Sequence, residues 1–230
     1  MARTFRYGAK KKSRTRQQKK RAVKSYVKKT MYPRFRPSHP VKRYVKLKYC
    51  QEFTLNPGAG TVASHAFKAD DMYDPDHTGV GHQPMGFDQL TPIYQKHSVV
   101  ASKATFIFSN EDSFAVVVGK KLDNDSTIGS SLPSITEQPN TSFKVLTARD
   151  GGRHVGRVVS KWSRKKQIPQ SANSYNYVVN SSGATVKAID WFHVAWTRAL
   201  SASTDASTMH CYVVLTYWAI MFDREDLAQS

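Results

Sequence analysis

The sequence divides its charge unevenly, and this division limits most strongly which part of the chain can fold. Residues 1–48 contain 19 Lys or Arg and no Asp or Glu, whereas residues 49–230 contain 16 basic and 17 acidic residues. A segment with so much like charge and few aliphatic residues cannot bury enough apolar surface to offset the conformational entropy lost on folding. The sequence therefore predicts a basic arm in front of a nearly neutral folded domain.

The arm is predicted to span residues 1–42 and the folded domain residues 43–230. Residues 1 to about 40 are expected to be disordered until an anionic partner organises them. The rest of the chain is long enough for one domain with a sizeable core, and its composition requires no second domain.

The composition of the arm predicts nucleic-acid binding. Lys and Arg release counterions when they neutralise phosphates, so such an arm binds without sequence preference and with strong salt dependence. Aromatic residues interleaved with the charges are suited to stacking on unpaired bases. These are Tyr7, Tyr26, Tyr32 and Phe35. The residues predicted to contact nucleic acid are Arg3, Arg6, Lys10, Lys11, Lys12, Arg14, Arg16, Lys19, Lys20, Arg21, Lys24, Lys28, Lys29, Arg34 and Arg36.

Two other roles are open to the same charges. A nuclear import signal over Lys10 to Arg21 is compatible with packaging, because the same residues can serve both uses at different times. A merely solubilising tail is the alternative that involves no nucleic acid.

Eight short apolar or alternating runs follow the arm, separated by polar, Gly or Pro residues. In "VKRYVKLKYCQEFTL", residues 41–55, every second residue predicts one face of a half-buried strand. That face consists of Val45, Leu47, Tyr49, Gln51, Phe53 and Leu55. No window carries an apolar stripe over three helical turns, so helices are expected to be short, near residues 86–97 and 132–140. The predicted fold class is all-β.

Long connections over residues 70–95, 122–140 and 164–186 are not typical of an up-and-down meander. Eight strands of this length suit a two-sheet sandwich or a barrel. A single eight-stranded jelly-roll sandwich fits best, because two four-stranded sheets tolerate long connections at their ends.

The segment "DDMYDPDHTGVGHQPMGFDQLTPIYQKHSVV", residues 70–100, is the most distinctive stretch of the chain. Together with the basic arm, it resembles the capsid proteins of circular single-stranded DNA viruses that encode a replication initiator, the circovirus-like group. In that family a similar segment lies between the third and fourth strands by the usual lettering, followed by a Tyr and a strand. The matching positions are Tyr73, Asp74, Pro75, Gly79, Gly81, His82, Gln83, Pro84, Gly86, Phe87, Asp88, Gln89 and Tyr94.

This resemblance implies a capsid protein whose single jelly roll assembles with identical copies into a small icosahedral shell of sixty subunits, the T=1 arrangement. It further implies that the arm packages a single-stranded DNA genome. The expected locations are the virion and, during assembly, the host nucleus, reached through the host nuclear import machinery. Sixty arms bring about 1,100 positive charges, enough to neutralise a large part of a small genome.

Two alternatives remain at this point. A capsid of a small single-stranded RNA virus shares the jelly roll, and phosphate neutralisation does not distinguish DNA from RNA. A cellular nucleic-acid-binding protein with a basic extension is the other alternative. Such proteins usually carry basic residues over the folded surface as well, so the nearly neutral domain favours a capsid.

The sequence contains no catalytic constellation, so we predict no enzymatic activity and no cofactor. "DPDHTG" begins like a calcium loop, but Pro75 stiffens its second position and Met85 stands where the bidentate Glu is needed. Turns, capping and salt bridges between subunits are the expected uses of Asp70, Asp71, Asp74 and Asp76. The glycines nearby are expected to allow tight turns and close approach of a neighbouring subunit.

The stretch "SKWSRKKQIP", residues 160–169, is the densest basic stretch outside the arm. It predicts a secondary basic patch made of Lys161, Trp162, Arg164, Lys165 and Lys166. Three interpretations are open: a second nucleic-acid contact, a surface for an anionic host receptor, and an ordinary solvated loop.

The two cysteines lie on the first and last predicted strands, which are neighbours in a jelly roll. Cys50 and Cys211 either pair or stay reduced, and reduced thiols are expected in a protein assembled inside a cell.

The longest apolar run, residues 209–222, is too short to cross a bilayer and predicts a buried strand, so no membrane insertion is expected. No apolar signal region follows Met1, so secretion is not expected.

Overall fold

The computed structural model describes residues 40–167, 179–180, 190–201, 204 and 208–224. The chain divides after Pro40, and the structure described below belongs to the unit Val41–Ser230. Residues 1–39, which contain most of the predicted arm, lie outside the described residues. The expected disorder of the arm and its boundary with the domain therefore stay predictions.

Strands dominate the described part of the chain, and the helices in it are short. The strands are β1 (Arg43–Leu55), β2 (Ala63–Lys68), β3 (Tyr94–Ser109), β4 (Val116–Asp123), β5 (Ser142–Leu146), β6 (Val155–Ser163), β7 (Val179–Asn180), β8 (Phe192–Ala199) and β9 (Met209–Arg224). The helices are α1 (Phe87–Leu90), α2 (Leu132–Thr136) and α3 (Arg164–Gln167). All eight predicted strands are present, and α1 and α2 lie where short helices are expected.

The strands form two antiparallel sheets that face each other. One sheet has the order β1-β9-β3-β6, with the two-residue β7 paired to β3, and the other has the order β2-β8-β4-β5. Two four-stranded sheets connected in this order make a jelly roll. The predicted fold class is confirmed.

Alternation along the strands sends every second side chain into the space between the sheets. In β1, Tyr49, Phe53 and Leu55 are buried there, as predicted. The Phe53 ring lies 5.3 Å from the Phe67 ring of β2 and 6.4 Å from the Phe106 ring of β3, both edge-on. Aromatic edge contacts of this kind join the two sheets through one core.

A buried histidine also links the sheets. His193 of β8 lies with Nε2 2.9 Å from the hydroxyl of Ser102 in β3 and Nδ1 2.8 Å from the hydroxyl of Ser160 in β6. Complete burial, together with the charge of Lys120, lowers the pKa of His193 from 6.5 to about 3. The imidazole is therefore neutral at ordinary pH and forms a buried polar link between the two sheets.

The connection between β2 and β3 contains the distinctive segment of the sequence. If the eight long strands are lettered B to I in chain order, this connection joins strands C and D. The buried carboxylate of Asp76 accepts hydrogen bonds from Gln51 at 2.7 Å and from the backbone N–H of Thr78 at 2.9 Å, and it lies 2.9 Å from His65 Nε2. These contacts hold the connection against β1 and β2.

Gly81 of this connection is in close contact with β1. A Cβ at this position would lie 2.6 Å from the Tyr49 hydroxyl and 2.8 Å from Asp76 Cβ, so no larger residue fits. The sequence predicts that glycines in this segment allow the close approach of a neighbouring subunit. At Gly81, the closely approaching group is β1 of the same chain.

The outward face of the second sheet is covered by its own connections. α2 begins at the N-cap Ser131, whose hydroxyl accepts the Ser134 N–H, and its buried Ile135 packs on Val117 and Trp196. The sheet β2-β8-β4-β5 therefore has apolar layers on both of its sides.

Cys50 and Cys211 are both free thiols. The register places Cys50 opposite Val214 and Cys211 opposite Phe53, so the two side chains lie on opposite faces of the sheet. Among the described residues, no helix is both long enough and apolar enough to span a bilayer.

Candidate nucleic-acid interface

The basic residues predicted to contact nucleic acid in the arm, from Arg3 to Arg36, all lie outside the described residues. Their role therefore stays a prediction. The described domain carries a second basic surface. This surface combines part of the predicted patch with residues of other strands, whose proximity to the patch the sequence alone does not show.

The predicted patch is divided between the surface and the core. Lys161, Lys165 and Lys166 are exposed. Trp162 is only 2% exposed and Arg164 only 6%, so the prediction that these two belong to a surface patch is wrong. Neither side chain is available for stacking on a base or for a phosphate contact in this structure.

The alternation of β6 explains this correction. Gly156, Val158, Ser160 and Trp162 point between the sheets, and Trp162 joins the main apolar core. Arg164 then begins α3, and its Nη1 donates to the hydroxyl of Ser98 inside the protein. A buried cation is tolerated where such hydrogen bonds replace its hydration.

Lys161 belongs to a row of outward-facing side chains that crosses the sheet. The register pairs Lys48 with Thr216, Thr216 with Lys103, and Lys103 with Lys161. Because neighbouring strands lie about 4.8 Å apart, the row spans about 14 Å from β1 to β6. Three ammonium groups from three different strands therefore share one side of the sandwich.

Trp218 lies in the next row along the same face. It is 39% exposed, which is unusual for the largest apolar side chain. The register places it opposite Lys46, whose Nζ lies 5.6 Å from the centroid of the indole ring, within cation–π distance. An exposed aromatic ring thus stands among the lysines.

A concavity of about 410 Å³ lies on this face. Its lining includes Lys103, Lys161, Lys166 and Trp218, from β3, β6, α3 and β9. Lys46 and Lys48 of β1 stand opposite Trp218 and Thr216 of β9 on the same face. We call these six residues the lysine–tryptophan surface: Lys46, Lys48, Lys103, Lys161, Lys166 and Trp218.

The electrostatics of this surface favour an anion. Within the described residues, none of its five lysines takes part in an ion pair. Among the described residues of β1, β3, β6 and β9, the exposed carboxylates are Glu52, which follows Lys48 by four residues, about 13 Å along the strand, and Asp223, which pairs with Lys96 near the other end of β9. The basic half of the face is therefore not neutralised by neighbouring carboxylates.

No family model and no curated protein matches the chain. Similar solved structures include the 60-mer of the BFDV capsid protein, with 8% identity, TM-score 0.46, and coverage of 82% of this chain and 97% of that chain. The semi-empty virus-like particle of the Macrobrachium rosenbergii nodavirus has 9% identity and TM-score 0.47, covering 87% of this chain and 93% of that chain. Empty turnip yellow mosaic virus has 15% identity and TM-score 0.44, covering 87% and 90%. Because all three TM-scores are below 0.5, the fold assignment depends on the strand order given above.

The acidic cluster of the β2–β3 connection serves local structure. Burial alone would raise the pKa of Asp76, but hydrogen bonds from Thr78 and Gln51 lower it below its ordinary value, so the carboxylate stays ionised. Asp71 accepts the backbone N–H of Tyr73 at 2.9 Å, which is a turn contact. Within the described residues, no three potential metal ligands come together.

Sequence reasoning missed four of the six residues of the lysine–tryptophan surface. Alternation in the first strand already places Lys46 and Lys48 together on the face opposite Tyr49. Nothing in the sequence shows that Lys103 and Trp218 lie beside them, because this follows only from the pairing of β1 with β9 and of β9 with β3.

Proposed function

We propose that this chain is a viral capsid subunit whose jelly roll assembles with identical copies into a closed shell, and whose basic arm packages a single-stranded DNA genome. The observation that carries the proposal is the division of charge: 19 basic and no acidic residues in residues 1–48, against 16 basic and 17 acidic residues in the remainder. A neutral jelly roll is suited to close contact between copies. A polycation attached to it is suited to an anionic cargo.

The division of charge also couples assembly to packaging. Many arms brought together in one shell repel each other, and nucleic acid removes this repulsion when its phosphates replace the counterions of the arms. Closure of the shell is therefore favoured by the cargo. Free association without nucleic acid should be weaker, most clearly at low salt, where the repulsion between arms is least screened.

The choice of DNA, the sixty-subunit shell and the nuclear stage of assembly follow from the resemblance of residues 70–100 to circovirus-like capsids. Sixty arms supply about 1,100 positive charges, which suits a small single-stranded genome. The run Lys10 to Arg21 is the proposed contact with the host import machinery. In this account the protein has a structural role and no catalytic one.

Sizing the purified full-length chain tests the proposal. Particles of megadalton mass that contain nuclease-sensitive single-stranded DNA are the expected result. Single-stranded RNA in the particles would indicate an RNA virus capsid. A monomer or dimer bound to duplex DNA or structured RNA would contradict the capsid proposal and support a cellular nucleic-acid-binding protein.

A charge variant of the full-length chain is the matched test of the arm. Replacing the eight basic residues between Lys10 and Arg21 with Gln removes about half of the fifteen basic residues of residues 1–40. The nucleic acid content per subunit should fall roughly in proportion to the charge removed. An unchanged content would show that the arm does not hold the cargo.

A further inference from the structure

We propose that the lysine–tryptophan surface binds a single-stranded polynucleotide, with Trp218 stacking on unpaired bases. This inference rests on the proposed function, since it extends the contact with nucleic acid from the arm to the folded domain.

The lysines fit a phosphate backbone that crosses the sheet. Lys48, Lys103 and Lys161 stand in one row that runs from strand to strand, with Lys166 at the edge of the concavity. A polynucleotide lying along this row passes one ammonium group after another over about 14 Å. Each phosphate that a lysine neutralises releases counterions, which is the driving force of such binding.

Trp218 gives the surface its preference for single strands. A small residue, Ala101 of β3, stands opposite the ring on one side, and the concavity opens beside it. Every base has a flat face that can stack on an exposed aromatic ring, but the bases of a duplex are already stacked on each other. A duplex can therefore use only the lysines, whereas an unpaired strand uses the lysines and the indole.

The strand β8 of the opposite sheet offers no equivalent surface in the described part of the chain. Its outward residues are covered by Ile135, which packs on Trp196, and by His77, whose ring lies 4.9 Å from that of Phe192. The edge strand β5 of that sheet is exposed, and its Phe143 and Lys144 provide the controls below.

Binding of a fluorescent 30-nucleotide oligo-dT to the full-length protein tests this inference. The variants are Trp218→Ala, Trp218→Phe and the double substitution Lys103→Gln with Lys161→Gln. The matched controls are Phe143→Ala and Lys144→Gln on β5, where Phe143 is 50% exposed and Lys144 is exposed on the other sheet. A duplex of the same length and a sulfated polysaccharide are the comparison ligands.

Stacking predicts that Trp218→Ala weakens oligo-dT binding about 5- to 100-fold and leaves duplex binding unchanged, while Trp218→Phe retains most of the affinity. The double lysine variant should lower the slope of log affinity against log salt concentration by about 1.4. Oligo-dT should quench part of the tryptophan fluorescence of the wild type, and this part should be absent in Trp218→Phe. The β5 controls should behave as the wild type.

Several results would overturn the inference while leaving the proposed function intact. These are oligo-dT binding that none of the sheet substitutions changes, equal weakening of single-stranded and duplex binding by Trp218→Ala, and loss of polysaccharide binding alone. If the wild type bound no nucleic acid of any kind, the proposed function itself would fail. Thermal melting of each variant shows whether a loss of binding is a loss of folding.

Discussion

Each sheet of the sandwich turns one tryptophan outward, and the two have opposite environments. Trp218 of the sheet β1-β9-β3-β6 is 39% exposed among lysines, whereas Trp196 of the sheet β2-β8-β4-β5 is fully buried beneath α2. The strand alternation that places them is the same. In this jelly roll, connections cover the tryptophan on the outward face of one sheet, where it contributes to packing. The tryptophan on the outward face of the other sheet stays open and is available for binding.

The largest expected effect is the loss of stability when the covered tryptophan, Trp196, is replaced. Trp196→Ala should lower the free energy of unfolding by about 3–5 kcal/mol, because it leaves a cavity between the sheet and α2. Trp218→Ala should lower it by less, because the ring lies partly in water and its removal leaves no enclosed cavity. Urea unfolding of the two variants measures the difference, and equal losses would show that the two faces are not packed differently.

A smaller effect is expected from adding one methyl group under the covered tryptophan. Gly119 of β4 lies directly against Trp196, and a Cβ there would be 2.3 Å from Cζ2 of the indole. Gly119→Ala should therefore cost about 1–3 kcal/mol of stability through overpacking. Gly152→Ala is the matched control, since its Cβ would meet nothing within 4 Å. A destabilisation of the same size at both glycines would contradict the close packing of Trp196.

The free energy of unfolding should depend on pH through His193, which lies between the two sheets. Its folded pKa is lowered to about 3, so only the unfolded chain takes up this proton between about pH 6.5 and pH 3. Stability should therefore fall as the pH is lowered, by about 2 kcal/mol from this group between pH 7 and pH 5. Asp76, whose pKa is also lowered, adds a loss only in more acidic solution, below its ordinary value of 3.8.

Urea unfolding at several pH values measures this slope. His193→Gln should flatten it by the stated amount. A slope that is the same in the wild type and in His193→Gln would mean that His193 takes up its proton over the same pH range in the folded and the unfolded protein.

The fold was predictable because its signals are local. Alternation and turn residues marked the eight long strands, and the apolar face of β1 is buried as its spacing predicts. The two-residue β7 carries no such signal, since it is defined only by its pairing with β3.

The site was predictable only in part. Lys161, Lys165 and Lys166 are on the surface, but charge alone could not show that Trp162 and Arg164 belong to the interior. Alternation along β6 does show it for Trp162, once the inward face is fixed by Val158. The contribution of Trp218 depends on the order of strands in the sheet, which no local pattern contains.

The most direct test of the account is the nucleic acid content of particles formed without the arm. A chain that lacks residues 1–40 and retains the neutral jelly roll should fold, and any particles that it forms should contain far less nucleic acid than those of the full-length chain. The ratio of absorbance at the nucleic acid and protein maxima, measured on sized particles, gives this content. Truncated particles with the same content as the full-length ones would contradict the claim that the arm holds the cargo.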